Sequence, residues 1–154
     1  TSSPSVRLTP YDSTQKLQTN LLRLPVASGA TATISVWVRK SSSGDGAAYN
    51  GSQPRLMYRY NYLSSNLADT VCATMTASTG SWEQLTYTTG TMTQNTVLEF
   101  YVDCNGTTGW VNVDDWGCTT STDTRGTSYW GSFQGPYVEI DNTSMTEYSS
   151  TFIN

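Results

Sequence analysis

Histidine is absent from this chain of 154 residues, and charged residues of either sign are scarce. The chain therefore lacks the commonest general base, the usual partner of a serine or cysteine nucleophile, and the usual nitrogen ligand of zinc. The carboxylates available as a catalytic pair include Glu83, Glu99, Asp103 and Asp114. Glycoside hydrolysis would require one of them to have a raised pKa inside an enclosed cleft. We predict that the protein is not an enzyme.

Basic residues are also few, since 8 Lys and Arg stand against 12 Asp and Glu and give a net charge of −4. A nucleic-acid-binding surface needs a basic stripe that displaces counterions. No apolar run reaches the roughly 20 residues that a membrane-spanning helix needs. We predict no nucleic-acid partner and no membrane insertion. Because the chain starts at Thr1 and not at Met, we expect a processed or excised segment.

Cysteine is limited to Cys72, Cys104 and Cys118, and no CxxC motif is present. The odd count permits one disulfide at most. Cys72 could pair with either of the others, or no bond could form, and the sequence leaves these alternatives open.

Strand-forming residues are plentiful, because Thr, Tyr and Val recur in short runs between Gly-, Ser- and Asn-rich turns. The predicted strands cover 6–8, 21–26, 32–40, 54–63, 70–76, 82–88, 97–104, 109–116, 136–140 and 148–153. No stretch has the composition of a solvated helix. Short strands at this spacing predict an all-β sandwich or barrel.

Alternation in two stretches assigns side chains to faces. In 32–40, Trp37 and Arg39 lie on the polar face. The Asn105-Gly106 pair between 97–104 and 109–116 predicts a hairpin. The residues predicted to face the core there are Leu98, Phe100, Val102, Val111 and Val113. Those predicted to face away from it are Glu99, Tyr101, Trp110, Asn112 and Trp116.

Four runs occur in an order that resembles the jelly-roll carbohydrate-binding modules of the family 4/9/22 type. They are Val-Trp-Val-Arg-Lys at 36–40, Gly-Ser-Trp-Glu-Gln-Leu at 80–85, Val-Leu-Glu-Phe-Tyr-Val-Asp at 97–103 and Val-Asn-Val-Asp-Asp-Trp at 111–116. The same runs are similar to jelly rolls displayed on phage virions and bacterial surface proteins. The resemblance implies an antiparallel jelly-roll β-sandwich over 1–118, on an extracellular or virion surface. The extended C-terminal tail, 119–154, would pack on it or on a neighbouring subunit.

Exposed aromatic side chains are the first candidates for function, because the apolar faces of sugar rings stack on Trp and Tyr while polar neighbours bind the hydroxyls. The predicted carbohydrate-binding residues are Trp37, Arg39, Glu99, Tyr101, Trp110, Asn112 and Trp116. The alternative is that loops or the tail cover this face and make its aromatic residues a second core layer.

Assembly is the alternative function, in which a neighbouring subunit of an extracellular or virion structure replaces the glycan as partner. The predicted interface residues are Tyr58, Tyr60, Tyr62, Tyr129, Trp130, Phe133 and Tyr137. Tyr is enriched at interfaces, but a strand carrying three tyrosines is equally consistent with cross-strand packing.

The Asp114-Asp115 pair corresponds to a position that often helps to bind a structural calcium ion in the resembled family. Calcium prefers six to eight oxygen ligands. Strict alternation places Asp115 on the core side of its strand, so we predict Asp115 as the metal ligand. The alternative is a solvated or hydrogen-bonded carboxylate pair, and no other cofactor is expected.

Overall fold

A computed structural model describes residues 5–60, 69–121 and 138–140 of the chain. These residues form ten strands and one short 3-10 helix, Ser43–Asp45. The strands are β1 Val6–Leu8, β2 Asp12–Thr19, β3 Leu22–Val26, β4 Ala32–Lys40, β5 Arg55–Tyr60, β6 Asp69–Thr74, β7 Trp82–Thr88, β8 Thr96–Gly106, β9 Val111–Thr120 and β10 Val138–Ile140. None of the described residues lies in a helix long and apolar enough to cross a membrane.

Two antiparallel sheets pack face to face, which confirms the predicted all-β sandwich. The four-stranded sheet has the order β1-β9-β4-β7. The six-stranded sheet has the order β10-β2-β8-β5-β6, with β3 pairing with β8 on the same edge as β2. β10 joins this sheet through β2, whereas the predicted strand 148–153 lies outside the described residues.

The core lies between the two sheets and is built by alternation within the strands. In β4, Ile34, Val36 and Val38 are fully buried, and in β8 Phe100 and Val102 are fully buried as well. Burying such a side chain stabilises the fold by roughly 1.5–3 kcal/mol. The inward positions predicted in both strands are therefore confirmed.

Strand β2 was not predicted, because its sequence, DSTQKLQT, is polar almost throughout. Only Leu17 and Thr19 are buried in it. The Thr19 hydroxyl accepts a hydrogen bond from the Val102 backbone N–H at 3.0 Å. β2 and β3 thus lie end to end along one edge of β8 and share that strand as partner.

The predicted hairpin around Asn105-Gly106 is wrong, because β8 and β9 belong to different sheets. The Asn105 side chain instead joins β2 to the loop before β5: its amide donates to the Ser13 carbonyl oxygen at 2.7 Å, and its Oδ1 accepts from the Ser52 N–H at 2.8 Å. Gly106 has φ 136°, and a Cβ there would lie 3.0 Å from the Gly51 Cα. The Asn-Gly pair therefore serves close backbone packing and not a two-residue turn.

A β-bulge in β9 reverses the alternation that the sequence predicts. Val36 of β4 lies opposite two residues of β9, Asp115 and Trp116. Asp115 has φ 44°, a left-handed conformation that Asp tolerates better than most residues. Beyond the bulge Trp116 packs against the core and Asp115 is exposed. Both predicted orientations were therefore wrong, because one inserted residue exchanges the two faces.

Candidate functional site

The outer surface of the four-stranded sheet carries two exposed tryptophans. Trp37 on β4 is 37% exposed and Trp82 on β7 is 41% exposed. We call this surface the tryptophan face, and its members are Trp37, Arg39, Trp82, Gln84, Asn112 and Asp114. Adjacent exposed apolar side chains indicate an interaction surface, so two exposed tryptophans on one sheet face mark a candidate binding surface.

The register between β4 and β7 sets the two tryptophans diagonally. Trp37 lies opposite Gln84, and Arg39 lies opposite Trp82. Directly opposed Cβ atoms are about 4.5–5.5 Å apart and diagonal neighbours about 7–8 Å apart. Each indole therefore has a hydrogen-bonding side chain as its direct neighbour across the strand pair.

Strand β9 extends both rows to a third strand. Asp114 lies opposite Trp37, and Asn112 lies opposite Arg39. Polar side chains therefore flank Trp37 on both sides, Gln84 on β7 and Asp114 on β9. Trp82 lies on the edge strand β7 and has Arg39 as its neighbour on one side.

Arg39 is fixed in place by its contacts. Its Nε donates to the Gly80 carbonyl oxygen at 3.0 Å, and its Nη2 donates to both Asp45 carboxylate oxygens at 2.9 and 2.8 Å. The Ser42 N–H and hydroxyl also donate to Asp45. The Ser42 backbone N–H, then Arg39, then the Ser42 hydroxyl lower the pKa of Asp45 to about 2. A guanidinium held in this way is oriented before any ligand arrives.

The turn before β7 determines where Trp82 lies. Gly80 has φ 88°, which a residue with a side chain rarely adopts. Its N–H donates to the Lys40 carbonyl oxygen at 2.7 Å, and its own carbonyl oxygen accepts from Arg39. The start of β7 is therefore fastened to the end of β4.

Asp114 is partly buried beside Trp37, and its Oδ1 accepts a hydrogen bond from the Asp115 N–H at 2.8 Å. Burial raises the pKa of Asp114, and the neighbouring charge of Asp115 raises it further. This carboxyl group is therefore harder to ionise than that of a solvated aspartate.

Trp110 and Asn112 lie at the edge of the face nearest β1. The Arg7 guanidinium lies over the Trp110 ring, 4.3 Å from its centroid. Trp110 Nε1 and Asn112 Oδ1 are buried and have no hydrogen-bond partner in the described part of the chain. One donor and one acceptor on this face are thus unsatisfied.

No family model, curated protein or solved structure matches this chain. The site is therefore interpreted from its own geometry and chemistry.

The structure separates the predicted carbohydrate-binding residues into three groups. It brings together Trp37, Arg39, Trp110 and Asn112 on the outer surface of the four-stranded sheet. Glu99 and Tyr101 lie on β8 in the other sheet, and Trp116 packs against the core. The shared face predicted for the aromatic residues is wrong, because β8 is paired with β2, β3 and β5 and not with β9.

Glu99 and Tyr101 point away from the core as predicted, but both are buried, at 2% and 3% exposure. Arg23 Nε donates to Glu99 Oε1 at 2.8 Å, and the Arg59 guanidinium lies 5.5 Å from the Tyr101 ring centroid. Burial and a hydrogen bond to the Asp69 carboxylate raise the pKa of Tyr101. On the outer surface of the six-stranded sheet, arginine side chains therefore contact Glu99 and Tyr101.

Three members of the tryptophan face were not predicted from the sequence as binding residues: Trp82, Gln84 and Asp114. Alternation within β7 would have found two of them, because Leu85 is buried and the flanking positions 84 and 86 must face outward. The pairing of β7 with β4 and the position of Asp114 depend on strand order and on register, which no local pattern encodes.

The tyrosines predicted as an assembly interface are described only in part. The Tyr58 ring packs against Phe100 and Tyr87, with centroid distances of 5.8 and 5.9 Å. For Tyr58 the packing alternative therefore holds. Tyr60 is the last residue of β5, and its side chain lies outside the described part of the structure. The remaining predicted interface residues, Tyr62, Tyr129, Trp130, Phe133 and Tyr137, lie outside the described residues.

The calcium prediction loses its structural basis at Asp115, which is exposed at the bulge and not on the core side. Over residues 5–60, 69–121 and 138–140, no three or more His, Cys, Asp or Glu side chains group together to hold a metal ion. Calcium binding stays a prediction.

Proposed function

We propose that this chain is a non-catalytic carbohydrate-binding module that holds a surface glycan on the tryptophan face. The observation that carries the proposal is the diagonal pair of exposed indoles, Trp37 and Trp82, each opposite a hydrogen-bonding side chain. Indole faces stack on the apolar C–H faces of sugar rings, while Gln84 and Arg39 supply donors and acceptors for hydroxyl groups.

Pre-organisation supports the proposal. The strands hold both indoles on a paired backbone, and Arg39 is held by Asp45 and the Gly80 carbonyl oxygen. A ligand bound here would order few side chains, which lowers the entropic cost of binding. Because an open sheet face accepts an extended ligand, a glycan chain fits it better than a small compact molecule.

We also infer that the strands connect as a jelly roll. Strand pairs nest about one another: β1 pairs with β9, the β2–β3 edge with β8, β4 with β7, and β5 with β6. Nested antiparallel pairs divided between two sheets are what a long hairpin produces when it rolls up. This order supports the resemblance to jelly-roll carbohydrate-binding modules.

The engaged state of several reactive groups supports a non-catalytic role. Glu83 accepts hydrogen bonds from the backbone N–H groups of Thr76 and Ala77 at 2.7 and 2.6 Å. Burial raises the pKa of the Cys72 and Cys104 thiols to about 12, which makes them poor nucleophiles. Glu83 therefore stabilises the backbone at Thr76 and Ala77, and the two thiols contribute to packing.

A glycan array with the purified chain at micromolar concentration, with and without calcium, tests the function. We expect selective binding to one glycan class. Trp37→Ala and Trp82→Ala should each weaken it by roughly 30-fold, the effect of losing about 2 kcal/mol at an aromatic hot spot.

The matched control is Val71→Ala, which removes an exposed apolar side chain on the other sheet. It should leave binding unchanged, and circular dichroism would verify that each variant is folded. A blank array together with self-association in solution would contradict the proposal and favour the assembly hypothesis. Display on an extracellular or virion surface is part of the same proposal.

A further inference from the structure

A cavity of about 300 Å³ opens on the outer surface of the six-stranded sheet. Its lining includes Lys16, Ser52, Gln53, Arg55, Thr74 and Asp103. These residues come from β2, β5, β6, β8 and the loop that precedes β5. The volume lies at the lower end of the roughly 300–1,000 Å³ that small-molecule sites occupy.

The carboxylate of Asp103 forms the floor of this cavity, and ion pairs balance its charge. Asp103 is 2% exposed and accepts two hydrogen bonds from Arg55, Nε to Oδ1 at 2.9 Å and Nη2 to Oδ2 at 2.5 Å. The Lys16 ammonium lies 3.3 Å from Oδ2. Two cations therefore face one anion, and the lining keeps one positive charge in excess.

Arg55 has a second donor edge beyond the one that binds Asp103. A guanidinium has five N–H donors, and the Nε and Nη2 bonds to Asp103 use two of them. In the described part of the chain, Nη1 and the second Nη2 hydrogen have no acceptor. This edge has the geometry that binds a carboxylate through two parallel hydrogen bonds. The Arg55 side chain is 28% exposed, so solvent reaches it.

Two further side chains of the lining, Gln53 and Lys16, offer unused donors. Gln53 Oε1 accepts from the Lys40 ammonium at 2.5 Å, which leaves the Gln53 amide nitrogen as its unused group. The Lys16 side chain is 55% exposed, and one of its three ammonium hydrogens suffices for Asp103. A cavity with excess positive charge and unused donors selects an anionic ligand.

We propose that this cavity binds the carboxylate of a small acid or of one acidic sugar residue, against the free edge of Arg55 and the Lys16 ammonium. The site lies on the opposite sheet from the tryptophan face and does not depend on the glycan proposal. A hexuronate matches both the charge and the size, since Ser52 and Thr74 offer hydroxyl groups beside the cations.

Isothermal titration calorimetry of the whole chain with sodium galacturonate, galactose and sodium acetate tests this proposal. We expect galacturonate to bind with millimolar affinity that weakens with salt, and galactose to give no signal. Acetate binding as tightly as galacturonate would also support the carboxylate site and would identify a free small acid as the ligand. Equal binding of galacturonate and galactose, or no binding of either acid, would overturn it.

Lys16→Gln is the decisive variant, because it removes the excess charge while Asp103 keeps both bonds to Arg55. It should weaken galacturonate binding by about tenfold or more, as expected for loss of one hydrogen bond to a charged group. Lys16→Arg keeps the charge and should retain binding. Trp37→Ala should also retain it, which separates this site from the tryptophan face. Undiminished binding to Lys16→Gln would refute the assignment.

Discussion

The buried ion pair between Arg55 and Asp103 offers a quantitative test of how the six-stranded sheet is held. Arg55→Met keeps most of the side-chain volume but removes both hydrogen bonds to a carboxylate that is 2% exposed. Leaving one partner of a fully buried pair uncompensated costs about 3–5 kcal/mol. Because Lys16 remains near Asp103 and Arg55 is 28% exposed, we expect a smaller loss, about 2–3 kcal/mol.

Urea denaturation followed by circular dichroism measures this loss directly, with an unchanged m-value as the sign of two-state behaviour. In a thermal scan the same loss should lower the midpoint by about 4–12 °C, since domains of this size shift about 2–4 °C per kcal/mol. The matched control is Arg59→Met. Its partner Asp69 is 41% exposed and can be rehydrated, so the expected cost is about 1 kcal/mol or less.

The single variant Asp103→Leu and the double variant Arg55→Met/Asp103→Leu complete the cycle. Removing both charges from the buried site should restore much of the stability, so the two single losses should exceed the double loss by at least about 1 kcal/mol. A cost of Arg55→Met no larger than that of Arg59→Met, or two single losses that simply add, would show that Arg55 and Asp103 are not a coupled buried pair.

Two further predictions concern stability. Gly51→Ala should destabilise the fold by about 3 kcal/mol or more, because a Cβ at that position overlaps the Asn105 carbonyl oxygen, whereas Gly90→Ala, with open space around it, should stay within about 1 kcal/mol of wild type. Equal urea midpoints for the two variants would contradict the packing. Burial raises the pKa of Asp114 above 3.8, so the folded state holds that proton more tightly and loses this advantage as the pH rises through the raised pKa. Asp114→Asn should therefore raise the thermal midpoint at pH 7 and not below pH 3.8; a lower midpoint at pH 7 would refute the burial argument.

Local sequence patterns predicted the parts of the fold that depend on one strand at a time. The alternation of 32–40 placed Ile34 and Val36 inside and Trp37 and Arg39 outside, and the structure confirms it. Strand β2 escaped because its polar sequence has only two buried positions, and it is held mainly by backbone pairing with β8. Backbone pairing does not require alternating apolar side chains, so it leaves no hydrophobic pattern in the sequence from which the strand could be predicted.

The site was harder to predict because it depends on which strands become neighbours. Tyr101 lies in β8 and Trp110 directly precedes β9, and these two strands belong to different sheets, so the two side chains lie on opposite surfaces. The bulge at Asp115 then exchanged the faces for Trp116. Register and sheet membership result from the whole set of pairings, so a local pattern could supply candidate residues but not their grouping.

The outer surfaces of the two sheets expose different side chains to solvent. This difference supports a different ligand chemistry for each surface. On the six-stranded sheet the outward acids Glu99 and Asp103 are matched by arginines from neighbouring strands, so charge is largely satisfied within the layer. On the tryptophan face, Arg39 of β4 is bound to Asp45 at the end of the sheet. Trp37 and Trp82 keep about two fifths of their surface exposed. Desolvating an indole stabilises a complex, whereas desolvating a paired charge costs free energy. A neutral, extended ligand therefore gains more on the tryptophan face, and an anion gains only where the charged layer leaves an arginine edge free.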